Sequence, residues 1–302
     1  MKYLSGSFKT NPMKFPSILL FALAAIVSIT SCKEPAAPDP FGGLALYTLR
    51  EDMKTNPKQV LADVHDIGYA YIEDAGYANG TFYGMEPAAF KAYLDSVGLR
   101  PVSSHQSGIT YENAAQTLAD LKEVGFTYIV IPIPPMGTFT FDPATRTMGM
   151  KGSVDSLAMT LDSLGKMSKA AGLQLLYHNH DFEFKADSTG VVPLNYLLEH
   201  CDPDLVNFQL DLYWATKAGV NPVDYFAQYP GRFKSWHVKD MDEQGRFAPV
   251  GTGSIDFTKI LAEKDQAGMQ YYFVEQDMTF DGQAPMEAIK ISHKAIDSLG
   301  FE

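Results

Sequence analysis

Beyond residue 43 the chain alternates between two hydrophobic periods. Short runs of β-branched and aromatic residues, of the length of a buried strand, are each followed by a stretch in which apolar residues recur every third or fourth position. This predicts strands over 44–49, 69–73, 100–105, 127–131, 173–179, 206–211, 233–239 and 271–275. Helices are predicted over 57–67, 87–97, 111–124, 154–171, 193–200, 222–229, 257–262 and 284–299. Pro57, Pro87 and Pro222 open helices, where a missing N–H is harmless, and Gly68, Gly98, Gly125 and Gly172 follow helix ends just before the next strand.

Eight strand-helix units in succession imply a parallel α/β architecture, and eight is the number that closes a barrel. The 302 residues have room for one (β/α)8 TIM barrel, which needs roughly 250, plus a short appendage. A doubly wound open sheet is the competing architecture. With 46% hydrophobic and 20% charged residues the composition is globular, so residues 41–302 are read as a single catalytic domain.

In such a barrel the chemistry lies on the loops after the strands, so a polar residue that closes an apolar run carries most weight. Four of the seven histidines, His105, His178, His180 and His237, stand at or just past predicted strand ends, while His65, His200 and His293 fall on helices. Three acids do the same: Glu73 in YIEDAGY, Asp211 in FQLDLYW and Glu275 in YYFVEQD. A bare carboxylate after a buried run is costly unless a rim salt bridge or a cation compensates it. Asp211, His237 and Glu275 fall on neighbouring strands, six, seven and eight, and together point to a metal site. The fifth strand adds YHNHDFEF over 177–184, where alternation puts His178 and His180 on one side, open to the lumen. Mixed imidazole and carboxylate donors suit Mn, Zn, Fe or Co better than Ca.

The N-terminus belongs to another layer of function. Lys14 precedes an apolar run over 15–29, the length of a signal-peptide core and short for a spanning helix; Met13 offers an alternative start. The run ends in Ile29-Thr30-Ser31-Cys32, which resembles a bacterial lipobox, with plain secretory cleavage as the alternative. Residues 1–32 are thus expected to be a lipoprotein signal and residues 33–40, KEPAAPDP, a proline-rich tether. The chain would be exported and held to a membrane only by lipid on Cys32, at the outer membrane or the periplasmic face. Cys201 then has no disulfide partner and is read as a small buried hydrophobe.

Formal net charge is −12, and removing residues 1–31 takes away Lys2, Lys9 and Lys14 and no acid, leaving −15. Such a surface repels phosphate backbones, so nucleic acid is not an expected partner.

The motifs LYTLR, YHNHDFEF, LDLYWA, WHVKD, VGTGSIDF and FVEQD, in this order and spacing over nearly all of 41–302, resemble the sugar phosphate isomerase/epimerase group of xylose isomerase-like barrels. The resemblance implies a divalent ion (Mn, Zn, Co or Mg) held by a glutamate after strand five, an aspartate after strand six, a histidine after strand seven and a glutamate after strand eight. The last three map onto Asp211, His237 and Glu275. Where the first glutamate stands in that family this chain has His178, with Glu183 five residues on. Because the family's epimerases use both glutamates as bases, that replacement disfavours two-base epimerisation. Glu275 is the expected base, with His178 or His180 as the imidazole acid and Glu183 as the alternative base, and a small carbohydrate is the expected substrate. His105, His180, Lys239, Trp214 and Glu73 are the expected substrate contacts. For Lys239 a rim salt bridge, and for Trp214 a core-filling role, are the plain alternatives.

The implied activity is a metal-dependent sugar isomerase or epimerase working through an enediolate. A lyase that eliminates or adds water on 3-keto sugars or their glycosides is the first alternative. A non-catalytic sugar-binding lipoprotein is another, and a metal-dependent nuclease fits the acidic surface poorly. Gly251-Thr252-Gly253-Ser254 is either an anion cradle or a simple turn with Ser254 as helix N-cap.

The lipobox reading has a direct test. Mass spectrometry of the native protein should find an acylated Cys32 at its N-terminus, and Cys32→Ala should release a soluble barrel; a mature chain that still contains Lys14 contradicts the reading.

Overall fold

In the computed structural model, residues 40–301 are described, together with residues 6, 7, 9 and 11. The expected signal, Cys32 and nearly all of the tether lie outside the described residues. Eight parallel strands close a barrel: β1 (Gly43–Ala45), β2 (Tyr71–Asp74), β3 (Arg100–His105), β4 (Tyr128–Ile131), β5 (Gln174–His178), β6 (Val206–Asp211), β7 (Phe233–Val238) and β8 (Tyr271–Val274). Closure is direct, since β1 pairs in parallel with both β2 and β8. Helices follow every strand, and three of them, Pro57–Ile67, Pro87–Val97 and Pro193–His200, coincide with their predicted ranges. Gly68, Gly98 and Gly125 cap helices at φ +117°, +83° and +101°, where a side chain would be strained.

The core has two layers. A large apolar shell lies between strands and helices, and a smaller plug of Ala45, Tyr71, Val102, Tyr128, Val130, Leu176 and Phe273 fills the barrel itself. This plug sets the floor on which any site must stand.

Departures from the predicted elements are local. The first strand is three residues long and gives way to a 3-10 turn at Leu46–Leu49, because Leu46 and Leu49, three apart, both find buried positions while Tyr47 turns outward. The third helix starts at Ala114 instead of residue 111, because Thr110 and Asn113 form their own turn: Thr110 N donates to Asn113 Oδ1 at 2.8 Å. A two-stranded hairpin, Phe139–Asp142 with Thr147–Met150, follows β4 and was not predicted.

The loop after β7 resolves the choice between cradle and turn. Asp240, buried two residues past the end of β7, accepts hydrogen bonds from Gly251 N (2.9 Å), Gly253 N (2.8 Å), Ile255 N (3.2 Å) and Met241 N (2.8 Å). A Cβ on Gly253 would lie 2.3 Å from Asp240 Oδ1, so only glycine permits this approach. The cradle exists, and its anion is the chain's own carboxylate. Ser254 is not the N-cap: its hydroxyl donates to Met241 O, and Asp256 caps the helix by accepting from Lys259 N.

Candidate active site

Two residues above the apolar plug, alternation along the strands brings polar side chains to the same inner faces: Glu73 above Tyr71, His178 above Leu176, Glu275 above Phe273. Glu73 lies at the centre and is 1% exposed. Its Oε1 accepts from His237 Nε2 at 2.5 Å and faces His105 Nε2 at 2.9 Å, and its Oε2 accepts from Ser103 Oγ (2.6 Å) and Gln209 Nε2 (2.7 Å). Burial alone pushes this carboxyl up, but His105 and His237 outweigh burial and hold it well below the usual carboxylate range.

That anion fixes the groups around it. With its N–H₂ committed to Glu73, Gln209 turns its Oε1 to His178 Nδ1 at 2.9 Å. Burial, reinforced by His237 and His180, pushes the His178 pKa well below its usual value, so the ring is neutral. A neutral ring that donates from Nδ1 carries its lone pair on Nε2, and that nitrogen is 3.9 Å from Asp211 Oδ2. Two electron-rich atoms face each other across a gap that suits a cation.

His237 is held from both sides. Its Nδ1 lies 2.9 Å from Glu275 Oε2 and 3.8 Å from Asp211 Oδ2. Burial lowers its pKa, but Glu275 and Glu73 overcome burial and raise it to about 10. The Nε2–H bond to Glu73 is the carboxylate-histidine support that leaves Nδ1 to a metal once its proton is released. Donor atoms of Asp211, His237 and Glu275 all lie within 4.8 Å of one another, and those of His105, His178 and His237 form a second such group sharing His237. Such mixed imidazole and carboxylate donors could hold a divalent metal ion.

Lys239 occupies the mouth of this cluster. Its Nζ is 2.9 Å from Asp211 Oδ2, 2.6 Å from Glu275 Oε2 and 2.8 Å from Asp277 Oδ1. Burial opposes its charge, but Asp211, Asp277 and Glu275 raise its pKa well above the normal lysine value. Glu275 in turn is held well below its usual value by Lys239 and His237 against the cost of burial. Asp211 Oδ2 has no well-directed hydrogen bond despite its closeness to Nζ, so this contact is one of charge rather than direction.

Above these groups opens a cavity of about 360 Å³. It is lined by His105, His178, His180, Lys239, Glu275 and Asp277, and by the less polar Tyr47, Pro132, Ile133 and the hairpin residues Phe139 and Met148. His180 Nδ1 is buried without a partner, and burial together with Lys239 pushes the ring's pKa down to about 3.

Three expected roles are not supported by position. Glu73 is predicted as a substrate contact but lies under the site with both oxygens engaged, since only there can one anion orient two imidazoles. Trp214 stands behind His180, with ring centroids 5.5 Å apart, and does not line the cavity. Glu183 is fully buried on the far side of the wall, accepting from Tyr177 Oη at 2.8 Å and His180 N at 2.9 Å, with Tyr177 in the shell between strands and helices. It therefore cannot reach a substrate and acts as a brace for the His180 loop. Conversely, Asp277 and Gln209 are not singled out by the strand-end rule. Asp277 sits two residues past Glu275 with the same parity, and that spacing was the available signal.

A model of the xylose isomerase-like TIM barrel family matches residues 61–292. An inosose dehydratase from Geobacillus kaustophilus is 24% identical over 278 residues, covering 80% of this chain and 86% of that protein. A crystal structure of a sugar phosphate isomerase/epimerase from Parabacteroides distasonis superposes with a TM-score of 0.72 at 25% identity, covering 90% of this chain and 98% of that one. A structure described as the IOLI protein with a binding zinc atom has a TM-score of 0.63 at 16% identity, covering 85% and 96% of the two chains.

Burial raises the Glu183 pKa from 4.5 to about 8. The fold therefore favours its protonated form, so the associated stability is complete below pH 4.5 and is lost as pH rises towards 8. Glu183→Gln keeps the bond from His180 N through its amide oxygen, donates its amide N–H to Tyr177 Oη in place of the second, and cannot ionise. Its Tm should exceed that of the parent by at least about 2 °C near pH 8, and the advantage should shrink towards pH 5 in scanning calorimetry. A difference that does not change with pH would show that Glu183 does not titrate in this range.

Proposed function

The chain belongs to the xylose isomerase-like TIM barrel family, and from that premise we propose that it is a divalent-metal-dependent lyase that removes water from a keto sugar or keto polyol through an enediolate. The observation that carries this reading is the one-sided placement of the carboxylates. Both acids that line the cavity, Glu275 and Asp277, come from the end of β8, and the β5 side offers the neutral rings of His178 and His180. Proton exchange on two opposite faces of a carbon needs a base on each face. One carboxylate suits chemistry on a single face.

Ionised Glu275 takes the proton alpha to the carbonyl, and the electrons of that C–H bond pass to the carbonyl oxygen as an enediolate. The Lys239 ammonium lies beside that position and stabilises the oxyanion. When the carbonyl re-forms, the β hydroxyl leaves and departs as water with the proton that Glu275 had taken. His180, neutral and with a free Nδ1, orients the departing hydroxyl. A divalent ion held by Asp211, His237 and Glu275, with His178 beside them, would polarise the carbonyl and its neighbouring hydroxyl as a Lewis acid. The bound zinc of the IOLI protein and the dehydratase name of the Geobacillus relative are in keeping with both parts of the reading. Asp240 already fills the glycine-rich cradle at Gly251 and Gly253, which favours an uncharged substrate. Residues 1–32 retain the reading of an export signal ending in a lipidated Cys32, so the substrate would be met outside the cytoplasm.

Same-face isomerisation shares every step up to the enediolate and differs only in the product. A product lighter by one water supports the lyase; an isomer of unchanged mass replaces it with the isomerase.

Two outcomes are expected. The protein should bind close to one equivalent of Mn or Zn by elemental analysis, and the metal at a hundredfold excess over its Kd should add about 2.7 kcal/mol to stability; less than a tenth of an equivalent with no thermal gain contradicts the metal. Glu275→Gln should fold normally and lower alpha-proton exchange in D2O by at least about 100-fold. Exchange at the parent rate would remove Glu275 from the mechanism.

A further inference from the structure

The loop after β3 gives the molecule a second concavity. Ser107, which lines the catalytic cavity, also lines a groove of about 440 Å³ together with Thr110, Tyr111, Glu112, Met136 and Gly137. The loop after β4 is the partition between them. Pro132, Ile133 and Phe139 face the catalytic side, and Met136 and Gly137 face the groove.

Three features distinguish this groove from an ordinary surface dent. Tyr111 leaves 48% of its surface exposed at its wall, a large aromatic side chain uncovered beside hydroxyl and carboxylate groups. The wall is preformed: Asn113 donates to Gly108 O at 2.9 Å and accepts from Thr110 N at 2.8 Å, so a ligand would bear little of the cost of ordering it. Met136, a non-glycine residue, is held at φ +58° at the junction of the two spaces, a conformation that persists only where the surroundings impose it.

An aromatic face flanked by hydroxyl and carboxylate groups is the chemistry that receives a sugar ring, whose C–H face is apolar and whose rim donates and accepts hydrogen bonds. We propose that the groove is a second subsite, and that the natural substrate is a disaccharide whose reducing-end keto sugar enters the catalytic cavity with its β hydroxyl free to leave, while the second sugar ring rests on Tyr111. This rests on the keto-sugar reading above and specifies it: the substrate is a disaccharide rather than a free monosaccharide.

Calorimetric binding to the intact Glu275→Gln chain tests this without turnover, with metal content measured by elemental analysis in each sample. The probes are a 3-keto-hexose and a 3-keto-disaccharide built on the same ring. The disaccharide should bind about three- to tenfold more tightly than the monosaccharide, the range of a stacking contact. Tyr111→Ala should abolish that advantage and leave monosaccharide affinity unchanged, and Tyr111→Phe should retain it. Equal affinity of the two sugars for the Tyr111 protein overturns the subsite while leaving the keto-sugar reading intact. Loss of both affinities together in Tyr111→Ala also overturns it, as does an aryl glycoside that gains as much as the disaccharide. Failure of either sugar to bind at all overturns the subsite and the keto-sugar reading together.

Discussion

An ionised carboxylate in the middle of a closed barrel has no water to solvate it, so protein dipoles and cations must do so completely, and the site is arranged around how Glu73 meets that demand. Its two oxygens collect a serine hydroxyl, a glutamine amide and two imidazoles. Each partner is thereby denied rotational freedom. Gln209 is oriented by giving its N–H₂ to Glu73, which presents its oxygen to His178, and His237 is oriented by giving its Nε2–H to the same anion. One buried negative charge thus dictates which nitrogen of each histidine faces the cavity. The geometry of the site follows from electrostatics one level below it.

The upper layer repeats the same constraint with different groups. Asp211, Glu275 and Asp277 converge within reach of a single ammonium, and without Lys239 three carboxylates would crowd one another with no cation between them. Asp211, His237 and Glu275 form a group that could hold a metal ion, and His237 would have to give up its Nδ1 proton to join it, whereas Lys239 stays charged. His178 and His180 stay neutral because burial and the nearby positive charges oppose their protonation.

Much of this was readable from the chain alone because a barrel converts sequence into position by a simple rule. Strand alternation places every second residue in the lumen, and a polar residue that ends an apolar run stands at the catalytic rim; that rule locates Asp211, His237, Glu275 and His178 together. The rule fails where side chains act at a distance from their own strand. Glu73 obeys it and yet points at neighbours instead of substrate, because a strand-end position does not specify which layer of the lumen a side chain occupies. Glu183 sits in the same motif as His178 but past the strand end, where parity no longer says inside or outside. The hairpin at Phe139–Met150 carried an alternating pattern, Phe139-Thr140-Phe141-Asp142, that is weak beside eight stronger strands.

The lining of the catalytic cavity carries two kinds of chemistry, and that division constrains what it accepts. Charged and imidazole groups come from β3, β5, β7 and β8, while Pro132, Ile133, Phe139 and Met148 come from the segment after β4. A fully hydrated polyol would have to leave hydroxyls unpaired against the apolar lining, at a cost of about 1–3 kcal/mol for each buried polar group left without a partner. A ring bound with its reacting carbons towards Glu275 and Lys239 and its C–H face towards Phe139 meets both without that penalty. The same segment, continuing through Met136 and Gly137, then turns its other side to the outer groove. One insertion after a single strand therefore supplies most of the cavity's apolar lining, while the charged and imidazole groups stand on the strand ends and the residues just past them.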